Sequence, residues 1–191
     1  MKTILYITSF AIALSCGSNT KNDQSEMTAE PVALEQETGK PLQEPSAMPV
    51  GEINTYDLKT DFHADWYNSR FEAFQPDAET LAVIEDNIED YEIKVFMGTW
   101  CPDSRREVPK LFKILDEVGY DLDKVTMYGV DRRKTTPDHL EQTYAIKRVP
   151  TIIFFKNGEE VNRIVEYPRE TLEKDIAAII TGEEYSHSYA N

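Results

Sequence analysis

Between residues 76 and 182 the chain alternates short apolar runs with amphipathic helical segments, and this alternation is the strongest constraint on its fold. Apolar side chains recur every three or four residues in the helical segments. The runs between them are short and mostly apolar, as in strands buried within a sheet. The predicted order is helix, strand, helix, strand, helix, strand, strand, helix. Strands separated by helices favour parallel crossovers, so the pattern predicts an α/β fold.

Four strands are predicted, and they form the centre of this fold. They cover residues 93–97, 125–130, 151–155 and 161–165. Asn157-Gly158 joins the last two and favours a two-residue hairpin turn, so the fourth strand should run antiparallel to the third. The prediction is a mixed sheet of four strands, or of five if the N-terminal segment adds one. Helices should cover both of its faces.

The helical segments are bounded by residues that commonly begin or end helices. Proline is well tolerated in a first helical turn, and glycine favours the end of a helix. The predicted helices begin at Pro76-Asp77, cover 104–118, begin at Thr136-Pro137, and run from Pro168 to Gly182.

Residues 1–15 have the pattern of an export signal, with Lys2 followed by an apolar run at 4–14. That run is shorter than the roughly 20 residues that a membrane-spanning helix needs. The segment from Ala13 to Gly17, which contains Cys16, resembles a bacterial lipobox, although Ala13 stands where leucine is usual. The resemblance implies cleavage before Cys16 and a lipid on that residue. An ordinary signal peptide with a chance cysteine is the alternative.

The N-terminal pattern leads us to expect an exported lipoprotein that faces the periplasm or the outside, with the lipid on Cys16 as its membrane contact. Residues 16–55 are polar, acidic and proline-containing without apolar periodicity, which predicts a flexible spacer. Residues 56–75 form an aromatic-rich lead-in that should pack on the domain at 76–182. Residues 183–191 form a polar tail that we expect to fray.

Charge and composition exclude several classes of function. The chain has 20 Lys and Arg against 35 Asp and Glu, a net charge of −15, which argues against nucleic-acid binding. Two cysteines cannot build a disulfide-rich scaffold, and the three histidines are far apart, so no metal site is predicted. No Gly-rich phosphate loop is present, and we expect no cofactor.

Cys101 lies where the first strand turns into a helix, and this position suits a reactive thiol. The free N–H groups and the positive end of a helix dipole stabilise a thiolate there. Ligand crevices of α/β sheets also form at the ends of strands. The alternative is a small buried hydrophobic residue, the role that many free cysteines have.

The motifs around Cys101 resemble those of the thioredoxin superfamily over about residues 76–182. Four features occur in the expected order: Trp100-Cys101-Pro102-Asp103-Ser104, then Pro109, then Val149-Pro150-Thr151, then the hairpin at 155–159. The resemblance implies a thioredoxin-like fold. It also implies that Pro150 is preceded by a cis peptide bond and faces Cys101. Trp100, Pro102, Val149, Pro150 and Thr151 would then bind the substrate.

The chain departs from the family pattern at the second cysteine. Ser104 stands where the resolving cysteine is expected, so Cys101 is the only thiol of the domain. Val95 stands where many thioredoxins have a buried carboxylate that serves the second cysteine. Without a second thiol, a mixed disulfide on Cys101 must be released by a thiol from outside the domain.

Neighbouring side chains are candidates for tuning Cys101. The Ser104 hydroxyl could donate a hydrogen bond to the thiolate. Asp103 would oppose a thiolate, whereas Arg105 and Arg106 would favour it. The alternative is that these charges form a solvated first helical turn.

The sequence leaves three functional hypotheses. The first is a monothiol thiol–disulfide oxidoreductase of the cell envelope, acting as a monomer on protein or small-molecule thiols and disulfides. The second is a peptide-binding module that kept the fold and lost the activity. The third is an oxidant sensor in which Cys101 passes through a sulfenic acid.

Overall fold

A computed structural model describes residues 47–190. The predicted signal peptide, Cys16 and the spacer up to residue 46 lie outside the described residues, as does Asn191. These residues form five strands, six α-helices and one 3-10 turn. In chain order the elements are β1 (Gly51–Ile53), α1 (Thr55–Leu58), α2 (Ala64–Ala73), α3 (Ala78–Asn87), β2 (Tyr91–Met97), α4 (Pro102–Glu117), a 3-10 turn (Leu122–Lys124), β3 (Val125–Gly129), α5 (Leu140–Thr143), β4 (Thr151–Lys156), β5 (Glu159–Val165) and α6 (Leu172–Thr181).

The five strands form one mixed sheet in the order β1-β3-β2-β4-β5. Strands β2 and β3 are parallel, and every other neighbouring pair is antiparallel. Helices flank the sheet, so the predicted α/β class and mixed sheet are confirmed, with the N-terminal strand present as the fifth. Among residues 47–190, the structure contains no helix with the length and apolar character needed to cross a membrane.

Strand β4 runs antiparallel to β2, and the parallel crossover predicted for it is wrong. The connection from β3 to β4 contains only the four-residue helix α5. A helix of that length advances about 6 Å, too little to return the chain along a strand of six residues. The chain therefore enters β4 from the edge at which β2 and β3 end. This places residues 149–151 beside the start of α4.

Strand β1 lies within residues 16–55, which the sequence pattern predicts to be a flexible spacer. Gly51 pairs with Gly129 and Ile53 with Met127 of β3, and Ile53 is buried. A Cβ atom at Gly129 would lie 2.2 Å from the carbonyl oxygen of Pro49, so this close approach requires glycine. A strand of three residues is too short to show a periodicity of two.

Two helices begin later than their prolines suggested. The predicted start of α5 at Thr136-Pro137 is wrong, because Thr136 instead accepts a hydrogen bond from the Leu140 N–H. The predicted start of α6 at Pro168 is also wrong, since Thr171 caps that helix by accepting from the Lys174 N–H. In both places a threonine hydroxyl satisfies an N–H group of the first turn. Asp77 caps α3, close to the predicted start.

The larger core lies on one face of the sheet, under α2, α3, α4 and α6. Ile93, Val95 and Met97 of β2 point into it and are fully buried. The aromatic lead-in contributes Tyr67, which is 1% exposed and stacks on Phe71 with 6.1 Å between ring centroids. Helix α2 thereby packs on the same core as α4.

Residues 183–190 pack on the domain, and the expectation of a frayed tail is wrong for them. The Tyr185 hydroxyl donates to the Asp175 carboxylate at 2.7 Å. The side-chain amide of Asn162 donates to the Tyr185 carbonyl at 2.9 Å, and the Ser188 hydroxyl donates to the Tyr167 carbonyl at 3.0 Å. These contacts join residues far apart in the sequence, which local polarity does not reveal.

Replacing Tyr67 with alanine is expected to destabilise the domain by about 3 kcal/mol or more, because it leaves a large cavity under α2. The matched control is Tyr56→Ala, since Tyr56 is 61% exposed and its loss should change stability by less than about 0.5 kcal/mol. Urea denaturation followed by circular dichroism measures both. Equal midpoints for the two variants would show that α2 adds nothing to the core.

Candidate functional site

Cys101 lies at the junction of β2 and α4, as the N-cap residue of the helix. Its N–H donates to the Gly98 carbonyl at 2.9 Å, and its own carbonyl accepts from the Arg105 N–H at 3.0 Å. Pro102 is the first helical residue, where a missing N–H costs nothing. The sulfur is thus carried at the positive end of a 16-residue helix.

The Cys101 side chain is turned toward the loop before β4. Its thiol donates to the Val149 carbonyl oxygen, with Sγ and oxygen 3.2 Å apart, and the residue is only 7% exposed. The peptide bond between Val149 and Pro150 is cis, as the family resemblance implies. Thr151 is buried, and its hydroxyl donates to the Arg148 carbonyl at 2.7 Å. The structure therefore brings together Cys101, Val149 and Pro150.

Ser104 is fully buried one turn after Cys101. Its Oγ accepts a hydrogen bond from the Gly98 N–H at 3.2 Å, which ties the first turn of α4 to the end of β2. Within residues 47–190, the Ser104 side chain forms this hydrogen bond, whereas the Cys101 sulfur is bonded to the Val149 carbonyl. Support of the thiolate by Ser104 stays a prediction.

Trp100 is fixed beside the cysteine by its indole group. The Nε1–H donates to the Val130 carbonyl at 3.0 Å. A Cβ atom at Gly98 would lie 2.6 Å from the indole ring, so this packing requires glycine at position 98. Trp100 packs against a second apolar cluster on the opposite face of the sheet from the main core, made of Phe96, Cys101, Val130, Ile146, Val149 and Ile153.

Asp103 and Arg105 have other partners than the sulfur. Asp103 forms an ion pair with Arg106 at 2.7 Å. The Arg105 Nε–H donates to the Thr99 carbonyl, and its guanidinium lies 5.5 Å from the centre of the Trp66 ring. Arg105 is therefore a positioning residue that connects α2 to the loop before Cys101. No local pattern in the sequence indicates this contact, because Trp66 and Arg105 are far apart in the chain.

The loop after β3 is pinned by Asp131. Its carboxylate accepts from the backbone N–H groups of Thr135 and Arg133, both at 2.9 Å. The hydrogen bond from Thr135 is the main cause that lowers the pKa of Asp131 to about 2. The neighbouring Arg132 is thereby held with its guanidinium 5.8 Å from the centre of the Trp100 ring.

The N-terminal segment reaches the same edge of the sheet. The Thr99 hydroxyl donates to the Ala47 carbonyl at 3.2 Å, two residues before Cys101. Ala47 thus lies beside the loop that carries the thiol. No pattern in the sequence indicated this contact.

The C-terminal tail also reaches the site, next to the cis-proline loop. Arg148 forms an ion pair with Glu166 at 3.2 Å, and its guanidinium lies 3.9 Å from the centre of the Tyr189 ring. The Tyr189 hydroxyl donates to Glu166, whose backbone N–H donates to the Pro150 carbonyl at 2.7 Å. A cavity of about 320 Å³ lies between the tail and this loop, with Arg148, Thr151 and Tyr189 among its walls.

Docking of the tail is expected to weaken as the pH falls below about 6.5, because His187 must be unprotonated at Nδ1. That nitrogen accepts from the Tyr189 N–H at 3.1 Å. Burial, and then the charge of Arg163, lower the pKa of His187, against a smaller opposing effect of Glu160. Because the pKa of His187 is lower in the docked tail than in the undocked tail, the undocked tail takes up the proton first as the pH falls. Docking is therefore complete above the ordinary pKa of histidine, and it is lost as the pH falls through the lowered pKa.

Carboxypeptidase digestion at a series of pH values, followed by mass spectrometry, measures this release. Its rate should rise in acid, after correction for the enzyme's own pH profile on an unstructured peptide of the same sequence. The variant His187→Gln keeps an acceptor without a titrating group and should show a flat profile. An equally steep profile for that variant would contradict the role of His187.

Residues 79–178 match the family model described as Thioredoxin. Thioredoxin of Listeria monocytogenes is 34% identical over 82 residues, which cover 42% of this chain and 75% of that protein. Thioredoxin Y, chloroplastic, of Oryza sativa is 30% identical over 92 residues, 47% of this chain and 52% of that protein. The X-ray structure of Fasciola hepatica thioredoxin is 23% identical, covers 56% of this chain and 93% of its own, and has a TM-score of 0.35. The matched residues include Cys101 and the Val149–Pro150 loop.

Proposed function

The chain belongs to the thioredoxin family, and from that premise we propose that this redox protein is a monothiol thiol–disulfide oxidoreductase of the cell envelope. One observation carries the proposal. Cys101, the only cysteine between residues 47 and 190, lies at the N-terminus of α4 against the cis-proline loop, with a serine one turn later.

The proposed reaction is an exchange between Cys101 and a substrate disulfide. The Cys101 thiolate attacks one substrate sulfur, a bond forms between the two, and the other sulfur leaves as a thiolate that takes up a proton. One disulfide is consumed and one is formed, so no net oxidation occurs in this step. An external thiol then attacks the mixed disulfide and restores Cys101.

Residues around the sulfur would position the substrate. Trp100 and Pro102 flank Cys101 in the chain, and Val149, which precedes Pro150 and Thr151, contacts the sulfur through its carbonyl. The Val149 carbonyl holds the thiol in the resting protein at 3.2 Å. During attack the sulfur leaves that carbonyl, which is then free to accept a hydrogen bond from an extended substrate segment.

The location in the envelope is part of the proposal and rests on the N-terminal sequence. Lys2, the apolar run at 4–14 and the lipobox-like residues before Cys16 support export and lipid attachment. A monomer tethered by Cys16 would meet its substrates in an oxidising compartment, where disulfides persist. Metabolic labelling with a fatty-acid analogue tests this part, with Cys16→Ala as the variant that should lose the label.

A second candidate function is a binding module that holds a thiol- or disulfide-bearing partner without exchange. The burial of Cys101, which is only 7% exposed, favours it. Incubation of the reduced protein with a disulfide-bonded peptide separates the two. An oxidoreductase gives a protein–peptide adduct of one-to-one mass that a small thiol releases, together with one equivalent of free peptide thiol.

The same incubation has outcomes that contradict the proposal. Binding of the peptide without an adduct at any time would identify the binding module. In a second incubation, a peptide with a free thiol that forms an adduct only after peroxide has oxidised Cys101 to a sulfenic acid, with loss of water, would identify an oxidant sensor instead.

A further inference from the structure

Charge is distributed unevenly over the chain, and the edge that carries Cys101 is positive. Four segments carry the charged side chains of this edge, because β2, β3 and β5 end there and β4 begins there. Residues 47–50 and 187–190 also reach the edge but contain no Lys, Arg, Asp or Glu. The four segments cover residues 98–106, 130–139, 145–150 and 166–168. They contain seven Lys and Arg against four Asp and Glu, a net charge of +3 in a chain of net charge −15.

Three of the four acids at this edge are paired with cations of the same edge, so the excess positive charge lies on cations that have no acidic partner. Asp103 is paired with Arg106, Asp131 with Arg133 and Glu166 with Arg148. The fourth acid, Asp138, is exposed on the turn before α5. Among the described residues, no carboxylate lies within ion-pair distance of Arg132, Lys134 or Lys147. We call these three side chains the cationic rim.

The cationic rim brackets Cys101. In the sheet order, β3 and β4 lie on either side of β2, which leads to the cysteine. Arg132 follows β3 and lies 5.8 Å from the centre of the Trp100 ring. Lys147 precedes β4 and lies two residues before Val149, whose carbonyl is 3.2 Å from the sulfur. Arg132 and Lys147 are exposed to solvent.

We propose that the cationic rim selects an acidic protein segment, with carboxylates on both sides of its cysteine, as the disulfide partner of Cys101. This inference rests on the proposed function and specifies its substrate. Neighbouring strands lie about 4.8 Å apart, so the loops after β3 and before β4 are about 10 Å apart. An extended segment of three or more residues spans that distance, whereas a small disulfide contacts only one side.

The remainder of the protein strengthens the selection. A net charge of −15 repels acidic molecules from most of the surface, so an acidic segment is favoured only where the local charge is positive. Complementary charges of this kind raise the rate of encounter and suppress incorrect partners more than they increase affinity. The exchange itself is unchanged: the Cys101 thiolate displaces one sulfur of the acidic partner, which leaves as a thiolate and takes up a proton.

Matched disulfide peptides test the inference. Two peptides share one sequence and the same leaving thiol, and the central cysteine is flanked by glutamates in one and by glutamines in the other. Rates of adduct formation are measured at about 0.02 M and about 0.5 M salt. We expect the glutamate peptide to react several-fold faster at low salt, and we expect high salt to remove most of the advantage.

Variants assign the effect to the cationic rim. In the double variant Arg132→Gln/Lys147→Gln, the ratio of the glutamate-peptide rate to the glutamine-peptide rate should fall about four-fold. Each cation contributes about two-fold if it lies about 8 Å from a glutamate carboxylate of the peptide. Its rate with the glutamine peptide should stay within about two-fold, which shows that the thiol itself is unaltered. The control Lys124→Gln/Lys156→Gln removes the same charge at the opposite end of the sheet and should keep the preference.

Equal rates for the two peptides, or an unchanged preference in the rim variant, would overturn the inference. Glutathione disulfide serves as a small anionic probe, and a dependence on the rim as large as that of the peptide would overturn the choice of a protein segment. If no disulfide reacts, the proposed function fails. Binding of the glutamate peptide to Cys101→Ala, measured by fluorescence anisotropy, then shows whether acidic selection holds without exchange or fails as well.

Discussion

Replacement of Cys101 by alanine is expected to abolish mixed-disulfide formation completely while leaving the fold intact. The sulfur is the one nucleophile at the junction of β2 and α4, and no other thiol occurs between residues 47 and 190. Cysteine and alanine are both small, so the loss of one buried atom and one bond to the Val149 carbonyl should cost about 1 kcal/mol. Mass spectrometry of the protein after incubation with a disulfide peptide measures the adduct.

The matched control is Cys16→Ala, which should form the adduct at the full rate, because Cys16 is predicted to hold lipid. An adduct on the Cys101→Ala protein would show that Cys16 can perform the exchange. Partner capture that is equal in strength with and without the Cys101 thiol would instead favour the binding module.

The parts of the fold that the sequence predicted are those that local patterns determine. Ile93, Val95 and Met97 lie in a short, mostly apolar run, and they form the buried strand that this run predicts. The helix predicted over 104–118 is also present, as α4, and it begins two residues earlier because Pro102 is well tolerated in a first helical turn. Strand direction is different, because it depends on where the chain goes after α5. The residues of β4 would look the same in a parallel strand.

The starts of α5 and α6 were predicted wrongly, because at each helix a proline and a nearby threonine are competing signals for the first turn. Pro137 and Pro168 both suit a first helical turn, but each is followed a few residues later by the start that the structure has. At α5 the Glu141 carboxylate accepts the N–H and the hydroxyl of Thr136, both at 2.9 Å, so residues 136–139 form a turn. These hydrogen bonds overcome the effect of burial and lower the pKa of Glu141 to about 2.

In the candidate site, too, local motifs could be predicted from the sequence and long-range contacts could not. The short motif around Cys101 and the motif at Val149-Pro150 could be matched to a family by residue type and order alone. The contacts that support them could not. Arg105 meets Trp66, and Arg148 meets Tyr189, across long stretches of chain. Only the folded arrangement brings such pairs together, since no local rule connects them.

Introduction of a second thiol by Ser104→Cys is expected to convert a persistent mixed disulfide into a transient one. Residues three apart on a helix are neighbours, at a separation within the range that disulfide geometry allows. The new thiol would attack the sulfur of Cys101 and release the substrate as a thiol. The protein would gain an internal disulfide, and two electrons would pass to the substrate. Release of the substrate therefore needs no external thiol in this variant.

The lifetime of the adduct without added thiol measures the effect. An intramolecular attack of this kind should shorten it by about 10²-fold or more, because a thiol held within reach has a high effective concentration. The control Ser104→Ala removes the hydroxyl that accepts from the Gly98 N–H and supplies no thiol, so its adduct should persist as in the unaltered protein. A long-lived adduct on a folded Ser104→Cys protein would mean that the two sulfurs cannot meet, because Ser104 is fully buried toward the end of β2. In that case the protein would be restricted to a one-thiol reaction for two reasons. It lacks a second cysteine, and the packing of residue 104 against Gly98 would keep a thiol at that position away from Cys101.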